Sequence, residues 1–296
     1  MLVLKLVYNS DLDFVYEIQD LRLVLRKKDI KIGVVESVEL DSHIIKVLCD
    51  DNSYSERVRD IINLYISNIL FKVVLNEYKE KEMLGYLTEN YFFLKQEEII
   101  EVEEEIMKVF LENKSLNFDN LIYCLNKVNN IIEKIKSCLE ENSEINIDGF
   151  IRFRMKELRE DIEEIIDKVI ESYMVEKEYK EFIKLLKYFV EIQDSKIEEV
   201  NIVISEAGDY SIIDSDKNDI FNEFMKELIE CQLDSDVKME DIIISGLITN
   251  SPKRIIIHGK NYCLNKEFMD TIEKVFENKV IFCKGCILCV EKQVKL

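Results

Sequence analysis

The scarcity of turn-forming residues is the feature that most constrains how this chain can fold. The sequence has seven glycines and one proline in 296 residues, against average usages of about 7% and about 5%. Because glycine and proline interrupt helices and form tight turns, a chain with so few of them is expected to consist mainly of long helices. Apolar residues make up 47% of the sequence, which is enough to bury a substantial core.

Two regions of different periodicity precede residue 197. Residues 1–54 predict a small α/β module of βαββ order, and residues 55–196 predict a central helical bundle. The elements of the module are an apolar run, an amphipathic stretch and two β-branched runs, at residues 2–7, 11–27, 32–38 and 43–49. The clearest helical stretch is a heptad seam for packing against another helix, formed by Leu121, Leu125, Val128, Ile132, Ile135 and Leu139.

The third region, residues 197–296, predicts an α+β domain with a mixed sheet. A β-hairpin is indicated at residues 200–204 and 210–213, around Ala207-Gly208-Asp209. Beyond the hairpin the pattern alternates between helix and strand. It predicts helices at 219–233 and 239–249, a strand at 254–258, a helix at 266–276 with Asn265 as its N-cap, and a strand at 279–283. The fold class expected for the whole chain is therefore helix-rich α+β.

The densest group of reactive side chains is a Cys-x-x-Cys-x-x-Cys motif formed by Cys283, Cys286 and Cys289. Three cysteines at this spacing can bind one metal ion or cluster, because each pair of intervening residues turns the sulfurs inward. The strand, helix and strand before the motif predict two parallel neighbouring strands. Their carboxyl ends then coincide, so His258 and Cys283 are expected at one sheet edge, with Cys263 in the loop that leaves it.

Three interpretations of this cluster remain open. A zinc site would use the three cysteines with His258 or Cys263 as the fourth ligand. A [4Fe-4S] cluster also suits three such cysteines and a remote fourth, but residues 290–296 lack the cysteine and proline that follow in ferredoxins. The third interpretation is that no cofactor binds and that the thiols are unligated or form a redox-active pair.

The sequence leaves open whether the chain is an enzyme and favours a structural site over a catalytic one. Only two histidines are present, which limits acid and base chemistry at neutral pH. A redox cysteine needs a helix N-terminus or a nearby cation. Lys284 supplies a charge, but Cys283 follows a predicted strand, and no helix of useful length is expected between Gly285 and Leu296. The thioredoxin arrangement is therefore not predicted.

The net charge of the chain and its N-terminal sequence argue against several further classes of protein. A net charge of -20 repels phosphate backbones, so broad nucleic-acid binding is not expected. The N-terminal residues lack the pattern of a signal peptide, and no apolar stretch reaches the roughly 18 residues of a membrane span. We therefore expect a cytoplasmic protein, whose eight cysteines are thiols, metal ligands or redox centres rather than disulfides.

A basic island lies within this acidic chain, formed by Arg152, Arg154, Lys156 and Arg159. On a helix, Arg152, Lys156 and Arg159 share one face. They could bind an acidic partner or a phosphate group. The alternative is that all four pair with the carboxylates of the same protein.

Three segments carry a resemblance to a known family. They are residues 149–154 (GFIRFR), residues 173–179 (YMVEKEY) running into 181–193, and residues 241–258 (DIIISGLITNSPKRIIIH). In them the sequence resembles the YtxC family of sporulation-associated proteins from endospore-forming bacteria, most firmly over residues 145–289. The resemblance implies a setting, the cytoplasm of a Gram-positive spore former, and no mechanism or catalytic residues.

Two functional hypotheses follow. The first is a non-enzymatic sporulation factor that binds a partner, most simply another protein, and whose C-terminus is stabilised by a metal. The second is an enzyme with a metal or thiol centre formed by the three cysteines of the motif and His258. A closed shell of four protein ligands would favour the first hypothesis, and a deep pocket beside the sulfurs would favour the second.

Overall fold

The fold is a helix-rich α+β arrangement, as the sequence predicts. The computed structural model describes residues 1–9, 14–39, 42–112, 118–222 and 238–291. Within these ranges, long helices accompany two mixed sheets of four strands each. The chain divides into two compact units, Met1–Val175 and Glu176–Leu296. The first unit therefore contains the predicted N-terminal module together with most of the predicted helical region.

The sheet of the first unit has the strand order β2-β3-β1-β4. Its strands are β1 (Leu2–Tyr8), β2 (Ile32–Glu39), β3 (Ser42–Cys49) and β4 (Glu144–Asn146), and α1 (Val15–Arg26) follows β1 in the chain. Antiparallel pairing joins β3 to both β1 and β2, while β4 runs parallel to β1. The four elements of the βαββ prediction are confirmed. Strand β4 was not predicted, because three residues are too few to form a periodic pattern.

Five helices complete the described part of the first unit, and their apolar faces pack with the sheet to form its core. They are α2 (Glu56–Tyr78), α3 (Leu84–Asn90) after one π-helical turn (Lys79–Met83), α4 (Gln96–Glu112), α5 (Phe118–Glu141) and α6 (Ile147–Ile192), of which the part up to Val175 belongs to this unit. The Ser55 side chain accepts a hydrogen bond from the backbone N–H of Val58, 3.3 Å away, and so caps α2. Helices of this length agree with the scarcity of glycine and proline.

The apolar seam of α5 is partly different from the predicted one. Val128, Ile135 and Leu139 are buried as expected, whereas Leu125 and Ile132 are only half-buried. Cys124 and Ile131 take their places in the core, each fully buried. Val128, Ile135 and Leu139 belong to both stripes, and the buried face extends from them toward Cys124 and Ile131 rather than toward Leu125 and Ile132. Burial also raises the pKa of the Cys124 thiol to about 11, as expected for a small core residue.

Charged residues recur along the helices. The longest, α6, has 46 residues and carries pairs such as Lys168 and Glu171, whose Nζ and Oε2 atoms lie 2.5 Å apart. Charges at this density are unfavourable in lipid hydrocarbon. Over the described ranges, we find no helix with both the length and the apolar character required to cross a membrane.

The second unit contains a sheet of order β6-β5-β7-β8. Its elements are residues 176–192 of α6, β5 (Glu199–Ile204), β6 (Tyr210–Asp214), α7 (Met239–Asn250), β7 (Arg254–His258), α8 (Lys266–Phe276), β8 (Val280–Phe282) and α9 (Ile287–Glu291). Strands β5 and β6 form the predicted antiparallel hairpin, and β5, β7 and β8 run parallel. The helix predicted at 219–233 falls largely on residues 223–237, outside the described residues.

Strand β7 and helix α8 have the bounds that the sequence predicts. The side chain of Asn265 accepts a hydrogen bond from the backbone N–H of Phe268 at 3.1 Å and is the N-cap of α8, as expected. The buried face of α8 includes Phe268, Ile272 and Val275, which pack into the core of this unit. Because α8 connects β7 to β8, the two strands are parallel neighbours and their carboxyl ends meet at one edge of the sheet.

Candidate metal centre

The carboxyl edge of β7 and β8 brings His258 and Cys283 together. His258 is the last residue of β7, and Cys283 directly follows β8. The backbone N–H of Cys283 donates to the carbonyl oxygen of Ile257 at 2.9 Å, which continues the pairing of the two strands by one residue. The parallel arrangement predicted from the strand-helix-strand pattern therefore places both residues where expected.

A tight turn then reverses the chain and returns the next two cysteines to the same point. Gly285 has a φ of +123°, a conformation that favours glycine, and its N–H donates to the Cys283 sulfur at 3.4 Å. The N–H of Cys289 donates to the carbonyl oxygen of Cys286 at 3.1 Å. These bonds fold the motif so that its three sulfurs face one another.

A short helical turn follows Cys286, and its five residues are compatible with the expectation that no helix of useful length forms after Gly285. Helix α9 has five residues, begins at Ile287 and contains Cys289. Hydrophobic periodicity cannot identify so short an element, because one turn contains too few residues to repeat a pattern. Its presence places Cys286 directly before a helical turn.

Four potential metal ligands converge at this edge. The Nδ1 atom of His258 lies 3.4 Å from the Cys286 sulfur and 3.5 Å from the Cys289 sulfur. The Cys289 sulfur lies 3.8 Å from that of Cys286 and 3.7 Å from that of Cys283. All four ligand atoms fall within 4.8 Å of one another. His258 and the three cysteines thus form one group, which we call the Cys3His cluster.

His258 is held rigidly by burial and by a hydrogen bond. Its side chain is only 3% exposed, and its Nε2 atom lies 3.1 Å from Oδ1 of Asn201 on β5. Burial lowers the pKa of His258 below its usual value, while the nearby Glu199 acts in the opposite direction. Burial therefore favours the neutral imidazole, which is the form that binds metal ions.

Two of the thiols have shifted pKa values of opposite direction. The N–H of Gly285 acts to lower the pKa of Cys283, but burial and the hydrogen bonds with the other two thiols together raise it. Burial is the largest influence on Cys286 and raises its pKa, yet hydrogen bonds from the backbone of Cys289 and Leu288 and from the neighbouring thiols outweigh it. The pKa of Cys286 consequently lies below its usual value, as in thiols that ionise readily.

Cys263 lies outside the Cys3His cluster. Its sulfur donates to the carbonyl oxygen of Asn265 at 3.2 Å and lies 3.5 Å from the hydroxyl of Tyr210. Of the two candidates for a fourth ligand, His258 is therefore the one that the fold brings to the other cysteines. Cys263 instead lies in the loop that leads to the N-cap of α8.

A cavity of about 400 Å³ adjoins the cluster. The sulfur-bearing residues Cys283 and Cys289 form part of its wall, together with Lys260, Tyr262 and Lys284. Lys260 is already paired, because its Nζ atom lies 2.6 Å from a carboxylate oxygen of Glu273 and 3.7 Å from the centre of the Phe282 ring. The cavity is at the carboxyl edge of the parallel strands, where open α/β sheets bind their ligands.

Among the described residues, two side chains of the basic island on α6 form ion pairs and two do not. Arg154 forms an ion pair with Glu157, and Arg159 forms one with Glu82 at 2.6 Å. For Arg152 and Lys156 we find no ion pair within the described part of the chain. Together with Arg159 they line a groove of about 550 Å³ that also contains acidic side chains, namely Glu77, Glu82 and Asp148.

Asn201 is the residue of this site that the sequence analysis missed. It is 5% exposed and interrupts the apolar run of β5, between Val200 and Ile202. A polar side chain in the centre of a buried strand needs hydrogen-bond partners, and this requirement is a signal that the sequence does contain. That His258 is one of its partners could be known only from the pairing of β5 with β7.

The fold and the site together define a helix-rich α+β protein whose C-terminal unit gathers one histidine and three cysteines at a sheet edge. The chain belongs to the YtxC-like family, whose model matches residues 64–281. The matched region includes His258 and ends before Cys283. The family match by itself therefore says nothing about the three cysteines of the motif.

One curated relative supports the same assignment. The chain is 29% identical over 146 residues to "Uncharacterized protein YtxC" of Bacillus subtilis (strain 168). The alignment covers 48% of this chain and 50% of the relative, so it spans half of that protein's length. No solved structure matches the chain.

Proposed function

We propose that this chain is a non-enzymatic, partner-binding member of its family whose C-terminal unit is stabilised by one structural zinc ion. The ligands would be the side chains of the Cys3His cluster. Three thiolates and one neutral imidazole are a common donor set of structural zinc sites. Zinc bound there would connect β7, β8 and the residues that follow β8.

The observation that carries the zinc proposal is the set of distances among the four ligand atoms. With Zn–S bonds of about 2.3 Å and a Zn–N bond of about 2.05 Å, a regular tetrahedron has S–S edges of about 3.8 Å and S–N edges of about 3.6 Å. The sulfurs lie 3.7 and 3.8 Å apart, and the nitrogen lies 3.4 and 3.5 Å from two of them. Four of the six distances among these atoms therefore match a single tetrahedral ion, and all six are within 4.8 Å.

The same distances favour one ion over an iron–sulfur cluster. In a [4Fe-4S] cluster each cysteine binds a different iron, so the ligand sulfurs must surround a body much larger than one ion. The sulfurs of Cys283 and Cys289 are 3.7 Å apart, which is too close for that arrangement. Zinc also requires no redox chemistry, in agreement with a structural role.

Metal analysis of the purified protein tests this proposal. We expect about one zinc per chain when the protein is purified without chelators, because a preformed set of four ligands binds zinc tightly. Inductively coupled plasma mass spectrometry and native mass spectrometry give the content and the stoichiometry. Neither zinc nor iron near one equivalent would contradict the metal site, and about four irons per chain would favour the cluster instead.

We further propose that Arg152 and Lys156 bind an acidic segment of a partner protein. This part of the proposal is supported by two exposed cations without an ion pair among the described residues, next to a groove of about 550 Å³. Arg154 and Arg159 are instead neutralised by Glu157 and Glu82. The docking site would therefore be narrower than the four-residue island that the sequence suggests.

The setting that we propose for this partner is sporulation, which rests on the resemblance to the YtxC family. In a spore-forming host, loss of the gene should lower the yield of heat-resistant spores. A gene encoding R152E/K156E should fail to restore the yield, because reversed charges repel an acidic partner. The matched control R154E, at a position already paired with Glu157, should restore it.

Two outcomes of this complementation experiment would contradict the proposal separately. An unchanged spore yield after gene loss would remove the sporulation setting. Full restoration by R152E/K156E, with the variant present at the wild-type level, would remove the docking site while leaving the setting intact. Immunoblotting of the cells provides the protein level.

A second candidate function is an enzyme with a metal or thiol centre at the same four residues. Two observations support it, namely the cavity of about 400 Å³ beside Cys283 and Cys289 and the lowered pKa of Cys286 before a helical turn. A catalytic zinc site, however, keeps one coordination position open for water or substrate, whereas four protein ligands fill the shell. We therefore favour the structural role.

A further inference from the structure

A chain of hydrogen-bonded polar side chains leads away from the Cys3His cluster along the sheet. Asn201 lies between His258 and Glu199, with its Oδ1 atom 3.1 Å from His258 Nε2 and its Nδ2 atom 3.0 Å from Glu199 Oε1. Glu199 in turn accepts a hydrogen bond from Arg254 Nε at 2.7 Å. The side chain of Glu199 is 14% exposed and that of Arg254 is 57% exposed, so the chain runs from the surface to the buried imidazole.

The register of the parallel strands creates this chain. Glu199 on β5 is the register partner of Arg254 on β7, and Val203 is the register partner of His258. Asn201 therefore lies two residues after Glu199 on the same face of β5, between the two ends of β7. Any shift of register by one residue would turn Asn201 away from His258.

The contacts of Asn201 decide the orientation of its amide. Its Nδ2 atom faces two acceptors, the carboxylate of Glu199 at 3.0 Å and the carbonyl oxygen of Asp214 at 3.4 Å. An NH2 group satisfies both, whereas an amide oxygen at that position would be repelled by both. Oδ1 must consequently face His258.

The amide orientation in turn decides the tautomer of His258. Oδ1 can only accept a hydrogen bond, so the hydrogen of the neutral imidazole must be on Nε2. The other ring nitrogen, Nδ1, is then unprotonated, and it is the one that faces the sulfurs of Cys286 and Cys289. The lone pair needed for a metal ion is thus directed into the cluster before any metal binds.

We propose that Asn201 is a positioning residue that fixes the Nε2–H tautomer of His258 and aims its Nδ1 atom at the metal, with Glu199 and Arg254 holding the Asn201 amide. This inference rests on the proposed zinc site. Hydrogen bonds of this kind behind a ligating histidine orient the ring and raise its affinity for the metal, typically by roughly 10- to 100-fold.

Nuclear magnetic resonance of the metal-free protein tests the tautomer independently of zinc. The chain has two histidines, so 15N-histidine labelling yields two ring spectra, and H43Q identifies the one from His43. We expect His258 to carry its hydrogen on Nε2, with that hydrogen protected from solvent exchange in the wild type and exposed in N201L. An Nδ1–H tautomer, or equal exchange in both proteins, would overturn the inference.

Zinc affinity in the full-length protein tests the consequence for the metal. We expect N201L to weaken zinc binding roughly 10- to 100-fold in a chelator competition. The swapped pair N201D/E199Q should recover most of the affinity, because Asp still accepts from Nε2 and the new glutamine can donate to it. If N201L folds poorly, the double variant N201D/E199Q still tests whether zinc affinity depends on a hydrogen-bond acceptor at position 201.

The outcomes separate this inference from the zinc proposal itself. Wild-type affinity in N201L, or no recovery in N201D/E199Q when that protein is folded by circular dichroism, would overturn the positioning role while the zinc site stands. A wild-type protein that binds no zinc would overturn the proposed function instead, and the ring spectra would still decide the tautomer.

Discussion

Replacing Cys286 with serine is expected to remove zinc and to lower the melting temperature of the second unit by roughly 10–20 °C. In a structural site the free energy of metal binding is also free energy of folding. If free zinc exceeds the dissociation constant by about a thousandfold, the bound ion contributes about 4 kcal/mol, and a unit of this size loses roughly 4 °C per kcal/mol. Differential scanning calorimetry together with metal analysis measures both effects.

Cys263→Ser is the matched control for this prediction. It makes the same chemical change in the same unit, at a thiol whose contacts are Asn265 and Tyr210 rather than the cluster. We expect it to keep its zinc and to melt close to the wild type. A Cys286→Ser protein that retains zinc and melting temperature would refute the structural site. One that stays folded and loses a measurable activity would favour the enzyme.

Replacing Gly259 with alanine is expected to lower the free energy of unfolding by about 2–5 kcal/mol, the sum of a left-handed backbone and an overpacked contact. Gly259 directly follows His258 and has a φ of +70°. A Cβ atom there would lie 2.3 Å from the carbonyl oxygen of Ile204, the last residue of β5. Backbone cannot move aside as a flexible side chain can, so β5 and β7 must separate locally.

Urea denaturation measures this loss, and zinc competition measures its effect on the site. Because Asn201 is on β5 and His258 is on β7, separation of the strands should also weaken zinc binding. Gly85→Ala is the control, since no atom of the described residues beyond its own stretch of helix lies within 4 Å of its new Cβ, and it should stabilise its helix by about 0.5–1 kcal/mol. Equal stability of Gly259→Ala and wild type would show that the contact with Ile204 relaxes easily.

Most of the regular elements could be predicted because each is long enough to repeat its own pattern. Strand β7 and helix α8 have the predicted bounds, and the hairpin of β5 and β6 forms as expected. Two elements could not be predicted, for the same physical reason: β4 has three residues and α9 has five. Neither contains enough residues to show a period.

The predictions were wrong in finer detail where burial and ion pairing depend on neighbouring elements that a sequence does not identify. On α5 the buried positions include Cys124 and Ile131 in place of Leu125 and Ile132. Which residues are buried depends on the direction from which other helices pack, and apolar residues occur on both sides of this stripe. That Arg152 and Lys156 form no ion pair within the described ranges likewise depends on which carboxylates the fold brings near them.

By itself, the sequence determined the helix-rich α+β class, the strand-helix-strand order before the cysteines and the spacing that lets three sulfurs converge. Local chain geometry is sufficient for these features, because they depend on residues close together in the chain. The choice of His258 over Cys263 and the role of Asn201 were decided only by the tertiary structure. Both depend on the register of β5 and β7, since pairing between strands far apart in the chain decides which side chains meet.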